Sequence, residues 1–148
     1  MLSPVQTRMT HAAFTGVIVL AVACSSSDGT QGEPVFPASP HASVKSTSGG
    51  LRVEVRTSPA PPARGDNAME LTITDAATGT RVDGLRPTVV PWMPAMGHGT
   101  SVAPTVTEKG AGRYLVTGVS FFMPGRWELR TTFPGKANDS AVPVFDVP

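Results

Sequence analysis

The chain is predicted to be all-β, with an immunoglobulin-like β-sandwich of about seven strands as its one folded domain. Three observations lead there. Short segments of alternating apolar and polar residues recur, Gly and Pro punctuate them, and no apolar pattern of helical period persists. The stretch that carries the pattern, residues 51–148, is long enough for a single small core.

Strand A is Leu51-Arg52-Val53-Glu54-Val55-Arg56, an unbroken alternation with the period of a strand that has one wet face. Thr57 to Asn67 holds Pro59, Pro61, Pro62 and Gly65, which remove or weaken ladder donors, so it connects A to B. Met69-Glu70-Leu71-Thr72-Ile73-Thr74 is the second strand, closed by the turn Asp75-Ala76-Ala77-Thr78-Gly79. Arg86 to Trp92 gives a third strand and Ser101 to Thr107 a fourth, followed by the turn Glu108-Lys109-Gly110. Gly112 to Met123 is the fifth. Tyr114 and Val116 fall on one parity and Val119, Phe121 and Met123 on the other, which predicts a kink at Gly118. Pro124-Gly125 turns the chain into a sixth strand, where Trp127, Leu129, Thr131 and Phe133 alternate with Arg126, Glu128, Arg130 and Thr132 and carry Trp127 to the core. Ala141 to Val147 supplies the seventh.

Ahead of this domain, residues 1–23 read as a signal peptide, with a polar start containing Arg8 and His11 and an apolar run from Ala12 to Ala23 that is too short for a stable transmembrane helix. The run ends in Leu20-Ala21-Val22-Ala23-Cys24, which resembles the lipobox of bacterial lipoproteins. Ala21-Val22-Ala23 also fits an ordinary signal-peptidase site, but the position of the sole cysteine favours lipidation of Cys24. Residues 24–50, rich in Ser, Gly, Pro and Thr, then form a flexible linker that holds the domain off a membrane. The likeness to lipoproteins implies a lipid-anchored, extracytoplasmic protein of the cell envelope, and in that likeness Ser25 after the cysteine implies export onward to the outer membrane where the host has one.

Removing Arg8 with the signal leaves 11 basic against 11 acidic residues. A balance this even gives no footprint for nucleic acid. A single cysteine excludes both an intrachain disulfide and a zinc site built from several thiolates.

Chemistry concentrates in Trp92-Met93-Pro94-Ala95-Met96-Gly97-His98-Gly99. Thioethers with an imidazole are a ligand set for soft Cu(I), and Gly97 and Gly99 free the backbone to bend. Met96 and His98, two apart in a glycine-flanked loop, are the first candidates. In a seven-strand sandwich the loop lies at the same end as the Phe121-Phe122-Met123-Pro124-Gly125 turn, so Met93 or Met123 becomes the third ligand. The plainer use of Met93 and Met123 is to fill core gaps at that end, with His98 simply exposed. Trp92, beside the loop, is a candidate for stacking on a ligand; packing in the core is its ordinary use.

The octapeptide, Gly112-Arg113-Tyr114, and Phe121-Phe122-Met123-Pro124-Gly125-Arg126-Trp127-Glu128-Leu129 together resemble the YtkA-like domain, related in pattern to the FixH family. The resemblance covers most of Leu51 to Phe133. It implies a secreted or membrane-anchored β-sandwich among relatives linked to copper handling or to assembly of respiratory oxidases. FixH-type proteins carry a transmembrane helix where this chain has a lipoprotein-like signal.

No His-Glu-x-x-His, Gly-x-Ser-x-Gly, phosphate-binding loop or calcium-loop spacing occurs, so an enzyme is not expected. Glu54, Glu70 and Glu128 sit in strand patterns, with Arg52, Arg56, Arg126 and Arg130 as their expected partners. Two functions follow as expectations: a Cu(I)-binding module, or a metal-free module that docks an envelope protein through the same loop end.

Overall fold

The structure, a computed structural model, describes residues 32–135 and 138–148. The expected signal peptide, residues 1–23, and the expected lipidation site Cys24 lie outside them. Among the described residues there are ten strands and no helix: β1 Ala42–Lys45, β2 Leu51–Ser58, β3 Gly65–Asp75, β4 Thr88–Met93, β5 His98–Gly99, β6 Thr105–Gly110, β7 Arg113–Phe121, β8 Gly125–Phe133, β9 Asp139–Ala141 and β10 Val144–Val147. They form two antiparallel sheets. One runs β1-β2-β3-β7-β6, the other β10-β8-β4-β5, with β9 also pairing β8. The β-sandwich expected from the alternation is therefore what the chain builds.

The core lies between the sheets. Val53, Val55, Met69, Leu71, Ile73, Tyr114, Val116, Val119 and Phe121 come from one, Val89, Met93, Trp127, Leu129, Phe133, Phe145 and Val147 from the other. Each of these faces is written by the two-residue period. The parity switch in the fifth predicted strand is resolved by a bulge: β3 pairs Asn67 with Val119 but Met69 with Val116, and Gly118 takes φ 74° in the extra residue. The bulge turns Val119 and Phe121 onto the same buried face as Tyr114 and Val116. On the outer face Arg56 and Glu70 are register partners with an ion pair of 3.2 Å. Glu128 pairs with Arg130 on its own strand at 2.9 Å.

Several sequence-based boundaries move. The second strand begins at Gly65 and not at Met69, so the expected connection Thr57 to Asn67 gives up both its ends to strands β2 and β3. The stretch expected as linker up to residue 50 already contains β1, which pairs from Ala42↔Val55 to Lys45↔Arg52. Val44 packs against the core and Ser46 is buried, its hydroxyl accepting from the Leu51 amide at 2.9 Å, so the ordered sheet begins at Ala42 and not at Leu51. The third strand starts at Thr88, because Arg86 adopts a left-handed φ of 47°. The fourth strand lies later, at Thr105–Gly110, and the turn to β7 is made by Gly110, Ala111 and Gly112, all at positive φ. The seventh is split at Val142-Pro143, where Pro143 has no amide to pair, although its carbonyl accepts from Leu129 N at 2.8 Å.

Candidate metal site

The connections β2–β3, β4–β5 and β7–β8 gather at one pole of the sandwich, as the antiparallel registers require. Pro91 and Pro94 bracket the end of β4, and the chain reverses over Pro94 to Gly97, with the amides of Met96 and Gly97 both donating to Met93 O at 3.1 Å. β5 then pairs Met93 with His98 and Trp92 with Gly99. A Cβ at Gly99 would stand 2.6 Å from the Pro91 carbonyl, so this glycine serves the close approach of β5 to β4. Cross-strand partners share a face, which puts Met93 and His98 side by side.

The four candidate ligands differ in depth. Met93 is 5% exposed and belongs to the core, its methyl against the start of β8, where a Cβ on Gly125 would meet Cε at 2.9 Å. Met123 is half-buried against the core edge, and its carbonyl accepts from Trp127 Nε1 at 3.0 Å. Met96, in the turn, is 52% exposed, and His98 is exposed. The imidazole stacks on Phe122 with centroids 5.7 Å apart and planes 8° from parallel, and Phe122 in turn meets Trp127 edge-on at 5.0 Å. Thus the hairpin and the Phe122-Met123 turn are joined through the His98 ring.

His98 Nδ1 lies 3.2 Å from the Gly99 carbonyl. With the proton placed on Nδ1 to meet that oxygen, Nε2 keeps its lone pair. Among the described residues no three His, Cys, Asp or Glu side chains come together, which concerns cages of those ligands and not thioether sites.

Trp92 does not pack in the core, the ordinary use expected of it. It neighbours Met93 on β4 and therefore faces the other side of the sheet, where its half-buried ring is covered by the Arg130 guanidinium at 4.3 Å. It is neither in the core nor beside His98. The residue missed in the sequence is Phe122. The signal was present: in Phe121-Phe122 strand alternation can bury only one ring, and the other must stand outside.

The family model described as YtkA-like matches residues 45–132, a span that takes in both the β4–β5 hairpin and the β7–β8 turn. No match is found among curated proteins or among solved structures. With more than half of its length inside the match, the chain belongs to the YtkA-like family.

Proposed function

We propose that this protein is a lipid-anchored, extracytoplasmic Cu(I)-binding module, tethered through Cys24 and carrying the ion at Met96 and His98 with Met93 or Met123 as third ligand. The observation that supports the reading is the hairpin itself: Met93 opposite His98, Met96 in the intervening turn, and Met123 one residue beyond the ring on which His98 stacks. Thioether sulfur and imidazole nitrogen suit Cu(I) over hard divalent cations. Stacking limits the imidazole to few orientations, which lowers the entropy lost on ligation. Exposure of Met96 and His98 favours loading and unloading of the ion over catalysis at it. The copper link implied by the YtkA-like resemblance agrees with this.

A metal-free docking role is the second reading, favoured by the exposed apolar side chains of the same pole. Titration of Cu(I) against a competing chelator separates the two. The reading expects tight binding by the soluble domain and its loss in a Met96→Ala, His98→Ala double variant; equal binding by both proteins, or none by either, removes copper from the account.

A further inference from the structure

The compact unit that holds the sandwich begins at Glu33, ahead of the first strand and ahead of the family match. From Glu33 to Pro40 no backbone group bonds to the backbone of a strand; the first to do so is His41, whose amide donates to Val55 O at 2.7 Å. Pro34, Pro37 and Pro40 have no amide to give, so the segment adds no strand and crosses the outer face of the β1-β2-β3-β7-β6 sheet instead. Glu33 meets Lys109 at 3.2 Å, the Ala38 carbonyl accepts from Arg56 Nε at 3.2 Å, and Phe36 between them is half-buried.

These contacts hold the segment lightly. The side chains of Glu33 and Lys109 are 77% and 38% exposed, so their pair stands in solvent and is screened by salt. Nor does the segment close on the sheet: a cleft of about 310 Å³ stays open between Pro34 and Phe36 on one side and Glu70, Arg113 and Leu115 on the other. One exposed ion pair, one half-buried ring and no backbone ladder set an opening free energy well below that of the sandwich. The sheet also tolerates the loss. Glu70 keeps Arg56 at 3.2 Å and Arg113 at 3.8 Å, and Arg56 keeps Thr72 Oγ1 at 3.2 Å, so no charge is stranded when the segment lifts.

Release changes a length. Nine links join Cys24 to Glu33 and span at most about 30 Å. While residues 33–40 lie on the sheet they add nothing to that leash. Once free, the eight links from Glu33 to His41 add about 25 Å, because a Pro-rich segment stays extended at about 3.1 Å per residue. We infer that residues 33–40 are a releasable strap, which shortens the leash of the anchored domain when docked on the outer sheet face and nearly doubles it when free. The inference rests on the lipid-anchored reading above. Release lets the domain meet a partner farther from the bilayer without any change in the sandwich itself.

The test uses the mature lipidated protein in phosphatidylcholine vesicles. With Cys24 blocked by lipid, spin labels go to Val35→Cys and Val142→Cys, at side chains 84% and 42% exposed, and double electron–electron resonance reads the distance between them. A narrow distribution is expected at 0.01 M salt. At 1 M, where the Debye length falls from about 30 Å to about 3 Å, a broad component is expected to rise at least about threefold. Phe36→Ser with Lys109→Glu is expected to give the broad distribution at both salts, with Trp emission unchanged as the sign of an intact core. A broad distribution in the wild type at low salt shows that the strap does not dock, and a narrow one that neither salt nor substitution moves shows that it does not release; either overturns the inference. Energy transfer from a fluorophore at Val142→Cys to acceptor lipids is then expected to fall on release. Equal transfer in the docked and released forms overturns the lengthening. A mature mass without lipid on Cys24 refutes the anchor reading and takes the inference with it, whereas every other failure occurs with the lipid in place.

Discussion

Gly125 and Met93 form the join between the hairpin and the turn that faces it, and their coupling can be measured. Gly125 opens β8 at φ 125°, and an alanine Cβ there would lie 2.9 Å from Met93 Cε. Backbone conformations reserved for glycine cost other residues about 1–3 kcal/mol. Overpacking against a side chain that is only 5% exposed adds about 1–3 kcal/mol, since Met93 must move within a filled core. Gly125→Ala is thus expected to destabilise the domain by about 2–6 kcal/mol. Met93→Ala alone removes a buried thioether at the core edge, a loss of about 2–3 kcal/mol. In the double variant the contact is gone and only the backbone part of the glycine effect remains, which gives a favourable coupling of about 1–3 kcal/mol, the overpacking part. Urea unfolding followed by Trp fluorescence, on wild type, both single variants and the double, measures it. Additivity to within about 0.3 kcal/mol would show that Met93 does not press on Gly125 and would refute the reasoning.

Three further outcomes are expected. Phe122→Ala removes the ring beneath His98 and should weaken Cu(I) binding about 2–10-fold, the equivalent of one aromatic contact, whereas Trp92→Ala, on the opposite face, should leave it unchanged in the same chelator competition. At Asp139 desolvation raises the carboxyl's pKa, but hydrogen bonds from the Ser46 and Ser48 side chains and the Ser48 and Ser140 amides outweigh it and hold the group below the ordinary carboxylate range. A depressed folded-state pKa contributes stability that is complete above the unfolded value of about 3.9 and fades as pH falls toward the folded one, so the difference in unfolding free energy between wild type and Asp139→Ala should be largest near neutrality and shrink below pH ~4. Thr57 is buried with its hydroxyl unpartnered, and Thr57→Val should raise stability by about 1 kcal/mol in urea unfolding.

Most of the sandwich was legible because burial on one face of a strand imposes a two-residue period that no other element shares. Strands such as Leu51–Ser58 and Gly125–Phe133 declare both their existence and their inner face. Gly118 disclosed the bulge because the apolar parity reverses across it. What escaped was held by single contacts rather than by a pattern. β1 has four residues in a Ser-rich stretch, and its pairing depends on Val44 reaching a core formed by distant strands. The Glu33–Lys109 ion pair and the Ala38–Arg56 hydrogen bond join residues far apart in sequence, and nothing local announces them. At the candidate site the sequence indicated which loops share a pole. It left open that Met93 and His98 are register partners, that Phe122 carries the imidazole, and that Trp92 faces away, because each depends on where β4 ends.

The most direct measurement of the central claim is copper K-edge X-ray absorption on the Cu(I)-loaded protein, compared with the Met96→Ala, His98→Ala variant. The account expects a first shell containing both sulfur and imidazole nitrogen, with the imidazole outer-shell signature lost and the sulfur count reduced in the variant. A shell of nitrogen and oxygen only, or one that the two substitutions leave unchanged, would contradict it.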